Sequence, residues 1–131
     1  MRYFTVPGAA PAPKSARYSH AVEVNGVLFV TGQLPVNPAN PGGDLPQGIE
    51  AQTEMSFHNL EIIVAAAGFE LRNTAFVRIY LKDFDRDYPG MNAVYLKHFS
   101  DETRLPGRTT VGVTKLGRDA LVEIDLIVAR G

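Results

Sequence analysis

Two short, mostly apolar runs rich in β-branched residues, 20–24 and 27–31, flank Asn25-Gly26. Both turn residues tolerate the positive φ that a two-residue turn needs to match the strand twist, so a β-hairpin is predicted here. From 49 to 67 the period becomes helical. Phe57, Leu60, Val64 and Ala67 fall on one face, and Gly68 follows as the left-handed residue that closes a helix. Residues 76–82 alternate, with Val77, Ile79 and Leu81 on one side and Arg78, Tyr80 and Lys82 on the other. Asp87 is read as the cap of a second helix, with Pro89 in its first turn. Met91, Val94, Tyr95, His98 and Phe99 then form its buried stripe. Pro106-Gly107 breaks the chain before a Thr/Val-rich strand over 108–115, and residues 116–119 turn it into a last strand over 120–129. So short a connection predicts that these two strands pair antiparallel.

Two segments lack this regularity. Residues 1–16 carry Pro7, Pro11 and Pro13 and read as an irregular N-terminal arm. Residues 33–47 hold four prolines and the pair Gly42-Gly43, a long loop of the kind that is often functional, with a short strand near 33–36. Strands interspersed with two helices predict an α+β domain, one mixed sheet with both helices packed on one face. Several strands, 121–128 above all, are apolar on both faces. The second sheet face therefore needs a cover, and self-association is the simplest one.

Composition narrows the field. A chain of 131 residues is expected to form a single domain over 1–131, and 45% hydrophobic with 21% charged residues excludes disordered and fibrous classes. The absence of cysteine removes disulfide scaffolds, cysteine-based zinc sites and thiol nucleophiles, and fits a reducing compartment. A net charge of −1 argues against a nucleic-acid partner. No run approaches the ~18 apolar residues of a membrane span. Pro and Gly interrupt the first thirteen residues where a signal peptide needs an apolar stretch, so a cytoplasmic address is expected.

Candidate chemistry concentrates at the end of the chain. Glu123 and Asp125 interrupt the apolar last strand at i, i+2, which puts both on the face opposite Val122, Ile124, Leu126 and Val128. A carboxylate on a half-buried strand must be solvated, paired or used. Arg108 opens the preceding strand and suits bidentate capture of a small carboxylate. It lies nearer the level of Ile127 than that of Glu123, so a contact between Arg108 and Glu123 in one chain does not follow from topology. His58 has Glu54 at i−4 and Glu61 at i+3, a metal-compatible spacing. Beside Asn59 on the expected wet face, those groups read as a solvated charge cluster and no metal site is assigned. His98 is expected to pack on the apolar stripe, and His20 has no assigned place. No phosphate loop, dinucleotide fingerprint or Ser-His-Asp order is present.

Residues 27–38, Val-Leu-Phe-Val-Thr-Gly-Gln-Leu-Pro-Val-Asn-Pro, resemble the signature of the RidA (YjgF/YER057c) family of imine deaminases. Asn59-Leu60, Ala65-Ala66-Ala67-Gly68, Val77 to Asp83, Pro106-Gly107-Arg108-Thr109-Thr110-Val111 and Val122-Glu123-Ile124-Asp125 follow in the family's order. The resemblance covers about residues 17–130. It implies a chorismate-mutase-like α+β fold and a homotrimer with clefts between subunits, where residues distant in one chain can meet. It implies hydrolysis of 2-aminoacrylate and related enamine or imine acids (2-iminopropanoate, 2-iminobutanoate) to 2-oxo acids and ammonia, with no cofactor. By the same resemblance Arg108 grips the substrate carboxylate, Glu123 positions or activates the water, and Tyr18 lines the cleft. Thr31 stands where many members have serine, and Thr110 where a cysteine is frequent whose backbone carbonyl helps hold the water. Gly32 offers close approach to ligand. The alternatives left standing are a dedicated deaminase of a longer amino-dienoate and a non-catalytic trimer that binds small carboxylates. The ribonuclease role sometimes attached to the family meets the objection of a balanced charge.

Overall fold

The computed structural model describes residues 1–131. The elements run β1 (Arg2–Phe4), β2 (Ala21–Val24), β3 (Val27–Gln33), α1 (Ile49–Ala66), β4 (Thr74–Leu81), α2 (Phe84–His98), β5 (Gly107–Gly112) and β6 (Val122–Ala129), with short helical turns at Leu71–Asn73 and Gly117–Asp119. They form one six-stranded sheet of order β1-β2-β3-β6-β4-β5, with α1 and α2 packed together on one face. This is the expected α+β design. The core lies between helices and sheet, where Phe57, Leu60 and Ile63 of α1 and Met91 of α2 meet Val77, Ile79, Leu81, Val122 and Ile124.

The predicted hairpin forms: Asn25 (φ 49°) and Gly26 (φ 77°) make the turn, and Val24 faces Val27 across it. The α1 stripe is buried, and the helix ends as Gly68 takes the left-handed position while Phe69 N–H donates to the Val64 carbonyl at 3.0 Å. Asn59 departs from expectation. It faces inward, fully buried, and its amide donates to the carbonyls of Leu34 (3.1 Å) and Val36 (2.7 Å), pinning the start of the long loop. That loop contains no strand of its own, because β3 ends at Gln33.

The pairing of the last two strands is a correction. β5 lies parallel to β4 at the sheet edge, while β6 inserts between β3 and β4, antiparallel to both. A β-α-β unit, with α2 as the crossover, joins β4 to β5, and a crossover of that length permits parallel pairing. The longer, mostly buried β6 takes a central place with neighbours on both edges, while the shorter, more exposed Gly- and Thr-rich β5 suits an edge. α2 also begins one turn earlier than read. Asp83 caps it by accepting from Arg86 N–H, and Asp87 lies inside the helix, buried and ion-paired to Arg86 at 2.9 Å. At the C-terminal end of α2 the His98 ring, half-buried, stacks on Phe57 with centroids 4.2 Å apart. Its Nε2 meets Glu54 at 2.7 Å and its Nδ1 lies 3.3 Å from Glu61, so these acids engage His98 rather than His58.

The arm is less irregular than its prolines suggest. Arg2–Phe4 adds to the sheet as β1, with Tyr3 opposite Val22. His20 ties down the segment between β1 and Pro11. Its Nδ1 accepts from Val6 N–H at 2.8 Å, which fixes the proton on Nε2, directed at the Ala10 carbonyl 2.9 Å away. His20→Ala would orphan both groups and leave a hole. We expect a loss of about 2–4 kcal/mol in urea denaturation. Faster proteolysis within the first sixteen residues should accompany it.

The face away from the helices is open. Tyr3, Val22, Phe29, Ile127 and Phe76 line up across successive strands as one apolar row, with Phe29 48% exposed. No helix is long and apolar enough to cross a membrane.

Candidate active site

Glu123 stands on the open face of β6, opposite Tyr80 of β4. On its other side the register of β3 slips between Val30 and Gln33, a bulge that brings Gly32 against it. A Cβ placed on Gly32 would lie 3.0 Å from the Glu123 carboxyl carbon, so any side chain here would displace the acid. Burial, and after it the Asp125 charge, holds the Glu123 carboxyl above its ordinary value. Tyr18 enters from the segment before β2, and its phenol is pushed up by burial and then by Glu123. The Thr31 hydroxyl donates to the Ser19 carbonyl at 2.7 Å, so its proton is committed to holding the stretch that carries Tyr18. Asp125 is a paired acid. It accepts from Arg78 Nε at 2.8 Å and from Tyr80 OH at 3.0 Å.

Arg108 belongs to the other face. It aligns with Val77 and through it with Leu126, both core-facing, and Thr110 aligns with Ile79. Its guanidinium turns to α2. Nη1 donates to Asn92 Oδ1 at 2.6 Å, Nη2 to Tyr88 OH at 3.0 Å and Nε to Thr110 Oγ1 at 2.8 Å, while the group sits 4.4 Å above the Tyr95 ring. Three of the five donors are thus committed, leaving one N–H on each terminal nitrogen for a carboxylate. In a single chain the sheet brings Glu123, Gly32 and Tyr18 together and keeps Arg108 and Thr110 apart from them.

Tyr88, Asn92 and Tyr95 escape the sequence reading as partners of Arg108, although a signal is there. They fall at i, i+4 and i+7, one helical face with three polar tips. What they point at depends on β5 lying beside β4, which the expected hairpin does not supply.

Residues 8–130 match the family model described as Endoribonuclease L-PSP. A RutC family protein of Aquifex aeolicus is 38% identical over 130 residues, covering 99% of this chain and all of that one. The chain belongs to the RidA/YjgF family. Within this family the 2-iminobutanoate/2-iminopropanoate deaminase of Escherichia coli is 32% identical over 114 residues, 86% of this chain and 87% of the relative. The crystal structure of RidA from an Antarctic Psychrobacter superposes with a TM-score of 0.88 at 29% identity, over 98% of this chain and 99% of that one. E. coli TdcF with bound serine also gives a TM-score of 0.88, at 27% identity over the whole of both chains. The RidA fold is therefore shared along the full chain, and with it the sheet on whose two faces Glu123 and Arg108 lie.

Proposed function

We propose that the chain hydrolyses 2-imino acids to 2-oxo acids and ammonia, in sites completed between copies of itself. The observation that carries this reading is the Glu123 carboxyl, partly removed from water and set against the bare backbone of Gly32. A relative named as an imine deaminase and a neighbour holding a small amino acid supply the substrate class. Water adds through oxygen to C2 of the protonated imine, and Glu123 takes a proton from that water as the C–O bond forms. Protonated Glu123 returns that proton to the amino nitrogen of the resulting carbinolamine, the C–N bond breaks with its electron pair leaving on ammonia as the hydroxyl oxygen forms the C=O bond, and ammonia takes up the hydroxyl proton as ammonium. Iminium plus water thus gives oxo acid plus ammonium, and no oxidant or reductant is needed.

Arg108 would hold the substrate carboxylate by its two uncommitted N–H groups, with Asn92, Tyr88 and Thr110 fixing the plane of the fork. Thr110 keeps the backbone carbonyl at the position where its relatives' cysteine stands, and Tyr18 closes the wall beside Glu123. Since Arg108 and Glu123 lie on opposite faces of one sheet, a second copy must bring the other half. The apolar row on the open face gives a copy something to cover, and the trimer implied by the family resemblance would supply three such sites. A cytoplasmic, single-domain enzyme acting on freely diffusing small acids completes the reading.

The test is to generate 2-iminopropanoate with an amino-acid oxidase and trap what persists with semicarbazide. Faster disappearance with the protein, and production of pyruvate, is expected. Binding of pyruvate without acceleration would instead identify a carboxylate-binding protein.

A base must be ionised, so the acid limb of kcat should follow the Glu123 carboxyl, which burial and then Asp125 push up and the Arg108 of a second copy would pull down. Asp125→Asn removes the second cause of that shift and leaves burial, the first, in place. The limb is expected to move to lower pH in a kcat–pH profile. Movement to higher pH, or none, would remove Asp125 from the electrostatics of the site.

A further inference from the structure

Resting on the deaminase reading, we infer that the imino acid's side chain lodges between the N-terminal arm and the 34–47 loop, and that the preferred substrates carry large apolar side chains. A cavity of about 390 Å3 lies there, with Tyr18 and Gly32 in its wall. These are the residues that flank the Glu123 carboxyl, so the cavity adjoins the reacting centre. Pro11, Pro13, Leu34, Val36 and Pro41 form much of the rest. Proline has no backbone N–H, so these walls are poor in donors as well as apolar. Away from Tyr18, Gln33 and Arg118, which also line the cavity, a polar side chain would lose water without gaining partners, whereas an apolar one gains by leaving water.

Size and stiffness point the same way. A methyl group fills little of such a volume, while a branched or aromatic side chain fills much of it. Both walls are held in place before any ligand arrives. His20 binds the backbone at Val6 and Ala10, just ahead of Pro11. Asn59 holds the carbonyls of Leu34 and Val36. Arg118, in the left-handed conformation (φ 59°), donates to the carbonyls of Pro41 at 3.0 Å and Gly43 at 2.8 Å. Two of its five N–H groups are spent on these carbonyls, and the group stands exposed at the rim. Preorganised walls waste little binding energy on ordering.

Two side chains can fill the cavity from its wall. Gly42 lines the cavity and a Cβ on it meets nothing within 4 Å, so Gly42→Phe adds bulk there without a clash at its Cβ. Val36→Trp adds bulk at a second position of the same loop and guards against an accident of the first variant. Imines made by an oxidase from alanine, leucine and phenylalanine would be compared with each protein. For the wild type, kcat/KM is expected to be at least about tenfold higher for the leucine or phenylalanine imine than for the alanine imine, on the scale of one or more buried methylenes. Each variant should cut that ratio at least about tenfold. Calorimetry with 3-phenylpyruvate and pyruvate gives a readout independent of turnover, and the variants should lose the first ligand selectively. A wild type that favours the alanine imine, or a ratio unmoved by both variants, would overturn the side-chain assignment while leaving the deaminase intact. No turnover, but 3-phenylpyruvate bound tightly and lost in both variants, would keep the cavity assignment and sink the deaminase reading instead.

Discussion

Glu123→Gln is expected to lower kcat by about 10²–10⁴-fold, the usual contribution of a positioned general base. The same change should leave the protein at least as stable as the wild type at neutral pH. The two effects have one origin. Glutamine keeps the shape of the side chain against Gly32 and loses the ability to take a proton from water. It also removes an ionised group from a site where burial and Asp125 both oppose ionisation. Because the folded-state value is raised, Glu123 favours folding fully only below its unfolded value, and that contribution is lost as pH rises through the folded value. The stability difference, variant minus wild type, should therefore grow from acid to neutral pH in denaturation series. A variant that retains turnover would remove Glu123 from the chemistry. One that loses stability progressively as pH rises would show that the carboxylate is a paired structural ion.

Mixing two dead variants should restore activity. Arg108→Ala and Glu123→Gln are each expected to lose at least about a hundredfold in kcat/KM, Arg108 because nothing else supplies a bidentate charge-assisted grip. Arg108→Lys should rescue little, since an ammonium cannot reproduce the planar fork held by Asn92, Tyr88 and Thr110. If each site takes Arg108 from one copy and Glu123 from another, co-refolding equal amounts of the two variants yields some sites with both residues intact. Random assembly puts that share at about one quarter of the wild-type activity. Recovery near that level would establish a shared site. No recovery, with mixed oligomers shown to form, would require Arg108 and Glu123 of one chain to serve the same ligand, against their separation by the sheet.

Much of the fold is legible along the chain, and for local reasons. The Asn25-Gly26 turn, the Phe57–Leu60–Val64–Ala67 stripe with its Gly68 stop, and the alternation of β4 each depend on residues within a few positions of one another. The family resemblance points to Arg108, Glu123, Tyr18, Thr31, Gly32 and Thr110 as the site. Its placement of two of them needs the fold to be understood: Thr31 commits its proton to Ser19, and Thr110 accepts from Arg108. Asn59 escapes a reading of the sequence because a polar residue on a helix looks solvated until the carbonyls it serves are known, and those lie more than twenty residues away.

Sequence by itself therefore determined most of the elements, the α+β class, the family and the residue types available for chemistry, all of which rest on periodicity, turn stereochemistry and motif order, while β1 and the start of α2 escaped it. Tertiary structure decided which strands are neighbours. That choice placed β6 in the middle and β5 at the edge, and so put Glu123 and Arg108 on opposite faces. Strand pairing is non-local: β6 pairs with strands far earlier in the chain, where neighbours on both edges satisfy its backbone and the helices cover its Val122–Ile124–Leu126–Val128 face, and no short window of sequence contains that competition. The bulge at Gly32, the His20 clasp on the arm and the walls of the cavity depend on contacts across the fold in the same way.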